Sequence, residues 1–361
     1  MIAVLVSGAV ALIVSLVGTP MLIKLLVHKN YGQFIRQDGP AAHLTKRGTP
    51  TMGGIVIIAA TLCGWIASFF VQGRLPTASA VLLVFLMVGM GFVGFLDDYI
   101  KISKERSLGL SPRGKIIGQG IVGIAFAILA LQFENRNGLT PASTRISFIR
   151  DTNFDLAFAG SVVGLILFVV WANFLLTAWS NAVNLTDGLD GLATGVSLVV
   201  FAAYTLIAIF QSNQHCSIAV VTDSCYNTRD PLGLAIVTAA IVGALFGFLW
   251  WNGSPAQIFM GDTGSLALGA ALAGLSILTR TEFLAVILGG LFVIIVLSDV
   301  IQIGFFKATG KRVFKMAPLH HHFELSGWGE VTIVIRFWII SGLFVVAGLG
   351  IFYFEWVGAG R

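Results

Sequence analysis

Five aspartates stand where long apolar runs give way to short polar breaks. Asp97 and Asp98 are adjacent in Gly94-Phe-Leu-Asp97-Asp98-Tyr99, Asp187 and Asp190 are three apart in Asn181-Ala-Val-Asn184-Leu-Thr-Asp187-Gly-Leu-Asp190-Gly191, and Asp262 lies in Phe259-Met-Gly-Asp262-Thr-Gly264. A single aspartate at such a border reads as a helix cap or a solvated group. An adjacent pair at an apolar helix end costs free energy unless a positive charge compensates it. Five carboxylates gathered at one edge of a membrane would imply a cation. Oxygen ligands without a cysteine and histidine set of zinc spacing favour Mg²⁺, with Mn²⁺ as a substitute.

Other residues of chemical interest lie in the same breaks. The stretch from Asn181 to Asp190 repeats a polar residue every third position, which keeps Asn181, Asn184, Asp187 and Asp190 on one side of a helix or tight turn. Asn252 to Gly264 forms a short loop whose glycines admit close backbone approach to a ligand, and Phe259 within it could stack on a flat base or anchor at the interface. Lys46-Arg-Gly-Thr-Pro-Thr51-Met-Gly-Gly54 is a basic, hydroxyl-bearing turn suited to phosphate contacts, without the order of residues that defines a Walker loop. Farther on, Lys311, Arg312 and Lys315 precede Met316-Ala-Pro-Leu-His320-His321-His322-Phe-Glu324, a run expected to place its three imidazoles on a loop after Pro318. Metal, phosphate or sugar binding are open readings for it, and the cations beside it also suit anionic lipid headgroups.

The elements that must carry these residues are membrane helices. The chain has 361 residues, 57% hydrophobic and 11% charged, against roughly 25% charged in soluble domains. Apolar runs near residues 2 to 26, 53 to 72, 79 to 96, 116 to 132, 157 to 178, 191 to 211, 232 to 251, 264 to 280, 283 to 303 and 333 to 354 are each long enough to cross a bilayer. The sequence therefore predicts an all-α polytopic membrane protein of about ten helices, forming one domain over residues 1–361. Every lysine falls in alternate connections, among them Lys46, Lys101, Lys115 and Lys307. The positive-inside rule makes that side cytoplasmic, places the acidic cleft there and puts both termini on the extracytoplasmic side. The net charge of +5 sits beside spans and gives no soluble basic face, so no nucleic acid partner is expected. Cys63 lies in a span, whereas Cys216 and Cys225 share an outer loop where a disulfide and two free thiols are both open. The longest outer connection, 133–155, reads as a hairpin or an interfacial helix.

These motifs resemble those of phospho-N-acetylmuramoyl-pentapeptide transferases, within the wider polyprenyl-phosphate N-acetylhexosamine-1-phosphate transferase superfamily. The resemblance runs through Lys46 to Gly54, Asp97-Asp98, Asn181 to Gly191, Phe259 to Gly264 and Met316 to Glu324. The paired Asp, the Asn-rich run and the Asp262 loop are similar to those of the whole superfamily. The first turn and the histidine run look like the muramoyl-pentapeptide branch. The resemblance implies transfer of phospho-N-acetylmuramoyl-pentapeptide from its UDP-linked donor to undecaprenyl phosphate in the bacterial cytoplasmic membrane, with release of UMP, dependence on Mg²⁺ and a homodimer. On that basis Asp262, Asp97 and Asp98 are expected to hold the metal, and together with His320 to form the catalytic set. Lys101 and Lys115 would hold phosphates, as would Lys46 and Thr51. Asn181, Asn184, Asp187, Asp190 and Asn252 would meet uridine or diphosphate, Phe259 the uracil, and His321 and His322 the sugar or phosphate.

Three rival readings have distinct signatures. A sister transferase using a UDP-linked N-acetylhexosamine without peptide would share the aspartates and the metal. An intramembrane prenyltransferase would share acidic helix ends but not the histidine and asparagine runs. A secondary transporter would carry its ion-binding carboxylates at the bilayer midplane, where only Asp299, with Gln302 nearby, fits.

Overall fold

The computed structural model describes residues 1–29, 31, 48–104, 108–216 and 225–359. Helices α1 (Ile2–His28), α2 (Gly54–Gln72), α3 (Ala78–Ser103) and α4 (Pro112–Ala130) come first, followed by a hairpin of β1 (Arg145–Ser147) and β2 (Asp151–Asp155). Then come α5 (Ser161–Thr186), α6 (Leu192–Asn213), α7 (Pro231–Asn252), α8 (Gly261–Leu278), α9 (Glu282–Leu288), α10 (Gly290–Thr309), α11 (Leu319–Glu324) and α12 (Glu330–Ala359). Ten of these helices are long and apolar enough to span a membrane. Large apolar side chains such as Phe70, Trp250 and Phe354 stand exposed on their flanks, as a lipid-facing surface requires.

The bundle is organised around α8. Every residue from Thr263 to Leu278 is buried, because α3 and α5 pack along it and α2 crosses its start. Its sequence of glycine, alanine, serine and leucine permits this, since small side chains let helix backbones approach closely in a membrane. At several points the approach is so close that only glycine fits. A Cβ on Gly94 of α3 would lie 2.1 Å from the Asp262 carbonyl oxygen, and one on Gly54 of α2 would lie 2.1 Å from the Gly264 nitrogen. Beyond this centre, α1 is tied to α7 by hydroxyl bonds from Ser7 to the Ile236 carbonyl and from Ser15 to the Ala244 carbonyl.

Several boundaries differ from expectation, among them the end of α5, which runs past residue 178 to Thr186 and so carries Asn181 and Asn184. Helix α3 continues past residue 96 to Ser103, so Asp97 and Asp98 lie within its last two turns. The ninth run, 283 to 303, breaks at Gly289 into α9 and α10. There the Gly289-Gly290 pair admits the Trp179 ring on one side and Phe344 on the other: a Cβ would come within 2.6 Å of the first and 2.5 Å of the second.

The opposite end of the bundle is closed by the hairpin. Its Ser147 N–H donates to Glu282 Oε2 at 2.8 Å, and the Glu282 N–H donates back to Ser147 Oγ. Burial pushes the Glu282 carboxyl up to about 8. Of the two readings open for 133–155, the structure selects the hairpin. It also joins Cys216 to Cys225, with Cα atoms 4.8 Å apart.

Candidate active site

The polypeptide ends that meet at the site are the C-terminal turns of α3 and α5, the N-terminal turns of α4 and α8, and the turn preceding α2. Residues 50–54 run against 259–260 through backbone bonds: Phe259 N–H to the Pro50 carbonyl, Gly53 N–H to the Phe259 carbonyl and Gly54 N–H to the Met260 carbonyl. This ladder seats Thr51, which is buried, against Gly261 and the start of α8.

Asp97, Asp98 and Asp262 form one cluster, each offering an oxygen within 4.8 Å of the others. Lys101 reaches into it, with Nζ 2.6 Å from Asp97, 3.7 Å from Asp98 and 3.2 Å from Asp262. Lys115 of α4 approaches Asp262 at 2.8 Å. Asn184 of α5 donates to Asp262 Oδ1 at 2.7 Å and to Ser265 Oγ at 2.8 Å. Three carboxylates thus face two ammonium groups, leaving a net negative centre partly screened from water. A cation already fits among the three carboxylates in the form of Lys101, and the donors are hard oxygens, so the residues fit a hard divalent ion.

The three aspartates are not equivalent. Asp98 is buried, and its Oδ2 accepts the Thr263 N–H at 2.9 Å and the Thr263 hydroxyl at 2.7 Å, while its Oδ1 accepts the Asp262 N–H at 3.2 Å. It thereby satisfies N–H groups that the first turn of α8 leaves without intrahelical partners. Asp97 accepts the Leu110 N–H at 2.8 Å, and Gly109 lies so close that a Cβ there would sit 2.5 Å from the carboxylate. Asp262 is held by the side chains of Lys101, Lys115 and Asn184.

Asp187 follows α5 next to this cluster. Its carboxyl is pushed up to about 7, first by burial and then by the charges of Asp262 and Asp98. Gly188 brings in the histidines, since a Cβ there would meet His320 Nε2 at 2.3 Å. Against the expectation of a loop, the three imidazoles sit on the short helix α11 and diverge around it. His320 is buried with its ring 4.2 Å from that of His321, His321 bonds Glu324 through Nδ1 at 2.6 Å, and His322 Nδ1 accepts the Lys315 N–H at 3.1 Å.

Other expected site residues make hydrogen bonds within the fold. Asp190 accepts the Ala256 N–H at 3.0 Å, and its own N–H donates to Glu330 at 2.9 Å, so it ties three connections together. Asn252 is buried and donates to the Ile258 carbonyl at 2.9 Å while Thr194 donates to its Oδ1. Asn181 donates one turn back to the Thr177 carbonyl. Phe259 is half-buried beside the 50–54 turn. Lys46 lies outside the described residues. Thr263, Ser265, Glu324 and Glu330 are additions that the sequence reading did not single out. Thr263 and Ser265 follow Asp262 by one and three positions, the signal that could have found them.

Lysines and a carboxylate triad at one end of a bundle of span-length helices form a centre suited to binding and polarising charged groups such as phosphates. Residues 80–280, which hold that centre, match the family model described as Glycosyl transferase family 4. Residues 46–58 match the phospho-N-acetylmuramoyl-pentapeptide-transferase signature 1. Proteins named phospho-N-acetylmuramoyl-pentapeptide-transferase are similar over their whole length. That of Beutenbergia cavernae is 72% identical, covering 99% of both chains. Those of Kineococcus radiotolerans and Streptomyces griseus are 64% and 60% identical, each covering 98% of both chains. The chain belongs to the phospho-N-acetylmuramoyl-pentapeptide-transferase family, whose members are multi-pass proteins of bacterial membranes.

Proposed function

We propose that this chain transfers phospho-N-acetylmuramoyl-pentapeptide from its UDP-linked donor to undecaprenyl phosphate, releasing UMP and forming the first lipid-linked intermediate of peptidoglycan. The observation that carries the reading is the convergence of Asp97, Asp98 and Asp262 with Lys101, Lys115 and Asn184 at one end of the bundle, in a chain that also bears the muramoyl-pentapeptide signature. The carboxylates gather at helix ends, and Gln302, the neighbour of Asp299, bonds instead to the backbone of Val313 and Phe314. That arrangement favours transfer over transport.

In the reaction, an oxygen of the acceptor phosphate attacks the phosphorus linked to the sugar, and the bond from that phosphorus to UMP breaks. Positioning and electrostatics dominate such chemistry. A phosphate monoester has a second pKa near 6 and needs little help from a base. Lys101 and Lys115 steady the phosphates as point charges on the near side of Asp262. Asn184 fixes the Asp262 carboxylate, and Asp98, with both oxygens engaged by α8, positions Asp262 rather than taking a proton. A single in-line displacement is accordingly favoured over a covalent aspartyl intermediate. Asp262, with Asp97, would hold Mg²⁺, which supplies charge neutralisation for the diphosphate. His320 lies against the Asp187 turn, where it would meet the sugar phosphate with His321 and His322. Membrane lipids surround the bundle, and a homodimer is the assembly the family resemblance favours.

The centre faces the cytoplasm in this reading. The lysine-bearing connections share its end of the bundle, and the Cys216–Cys225 disulfide sits at the other end, as an oxidising exterior favours. The deciding assay is UMP release in detergent with undecaprenyl phosphate and Mg²⁺, comparing UDP-N-acetylmuramoyl-pentapeptide with UDP-N-acetylglucosamine. Release with the muramoyl donor alone, lost on adding EDTA, is expected; release with the other donor alone assigns the chain to the sister branch. Asp262→Ala should lower the rate by about 10²-fold or more with the fold intact, and an active variant removes Asp262 from the centre.

A further inference from the structure

At the end of the bundle opposite the carboxylate centre, the end of α2, the start of α3, the end of α6 and the start of α7 enclose a cavity of about 320 Å³. That is within the size range of small-molecule sites. Its lining joins two cations, Arg74 and Arg229, to the apolar surfaces of Trp65, Phe69 and Leu232. Asp230 also lines it, but its Oδ2 is already engaged by the Ser79 N–H, the Ser79 hydroxyl and Arg229. Two of the lining residues, Arg229 and Thr77, each carry a buried polar atom, Nε and the hydroxyl oxygen, with no hydrogen-bond partner among the described residues. Both can donate, and buried donors left unpaired are costly. Two arginines against one committed carboxylate leave the cavity one positive charge in excess. Its exposed rim sets the apolar Leu75, 91% exposed, and Pro76 beside Arg74.

The wall that carries Arg229 is built to hold its shape. Tyr226 and the 214–216 segment exchange backbone bonds, His215 bonds the Thr228 carbonyl at 2.8 Å, and the Cys216–Cys225 disulfide closes the same two strands of chain. We propose that this cavity binds the phosphodiester headgroup of an anionic phospholipid from the leaflet opposite the carboxylate centre. The phosphate oxygens accept from the guanidinium groups of Arg229 and Arg74, and the acyl chains leave over Leu75 and Pro76 along the lipid-facing flank of α2. The chemistry at the headgroup is that of any phosphate; the apolar exit selects a lipid.

Native mass spectrometry of the full-length protein in detergent tests this, titrating phosphatidylglycerol, phosphatidylcholine with the same acyl chains, and inorganic phosphate. One phosphatidylglycerol per chain should be retained about tenfold more tightly than phosphatidylcholine, and Arg74→Gln or Arg229→Gln should each weaken it by about tenfold. Arg136→Gln, an exposed arginine outside the cavity, should change nothing. Arg74 is exposed, so its variant keeps the test decisive if Arg229→Gln fails to fold. Equal retention of the two lipids, an equal loss with Arg136→Gln, unchanged binding in Arg74→Gln, or displacement of the lipid by inorganic phosphate would each overturn the assignment. None of these readings depends on the transferase assay.

Discussion

Thr263 gives both its N–H and its hydroxyl to one oxygen of Asp98, and through that pair the start of α8 is registered against α3. A hydrogen bond to a charged group contributes about 1.5–3 kcal/mol. Thr263→Val keeps the shape and the N–H bond but removes the hydroxyl, so the kcat of UMP release should fall by about tenfold with little change in donor KM. At the other end, Glu282 carries a carboxyl raised from 4.5 to about 8, chiefly by burial. Its folded form binds a proton more tightly than the unfolded chain does. The contribution is therefore complete below about pH 4.5 and is lost as pH rises through about 8. Thermal melts should show a Tm that declines from about pH 4.5 to pH 8, and Glu282→Gln should flatten that decline. At this scale the sequence revealed types better than partners. Asp97, Asp98 and Asp262 were legible because charges at apolar borders are expensive. The inward turn of Asp190 and Asn252 was not, because their partners are the backbone groups of Ala256 and Ile258, which no side-chain pattern records.

Among the elements, the contact of α3 with α8 sets the site. Gly94 lets the two backbones approach until the Asp262 carbonyl lies where a methyl would stand. Gly94→Ala must push them apart, and overpacking of this kind costs about 1–3 kcal/mol. The expected outcome is a protein that still inserts and folds, with a lowered melting temperature and a loss of activity larger than the loss of stability; unchanged UMP release would show that the registry is not tight. Ten spans were readable from apolar length alone, and the closure of the first turn onto the Asp262 loop was anticipated only as two separate glycine-bearing segments. The break between α9 and α10 escaped the sequence because hydropathy is continuous across Gly289, and what separates the helices is the fit of Trp179 and Phe344 to a glycine pair. The histidine helix escaped it for a related reason, since Pro318 reads as an end of regular structure yet here precedes a turn of helix.

For the molecule as a whole, the proposed topology of ten spans puts both termini on one side of the membrane and the carboxylate centre on the other. In right-side-out vesicles carrying Cys63→Ala, a membrane-impermeant thiol reagent should label Asn137→Cys and spare Ser326→Cys until the vesicles are opened; the reverse pattern would invert the proposed orientation. The helix that carries Asp262 has 18 residues, the shortest of the ten spans, or about 27 Å at 1.5 Å per residue. It is enclosed by protein along its length, whereas α1 and α12, with 27 and 30 residues, present apolar flanks outward. A bilayer that thickens or thins exerts its mismatch on the helices it touches, through tilt and stretching at the periphery. The pairing of Asp98 with Thr263 at the head of α8 is thus shielded from hydrophobic mismatch, whereas Lys115 rides on α4, whose Ile116, Ile117 and Ile121 are exposed, and is the member of the centre that a change in acyl-chain length reaches.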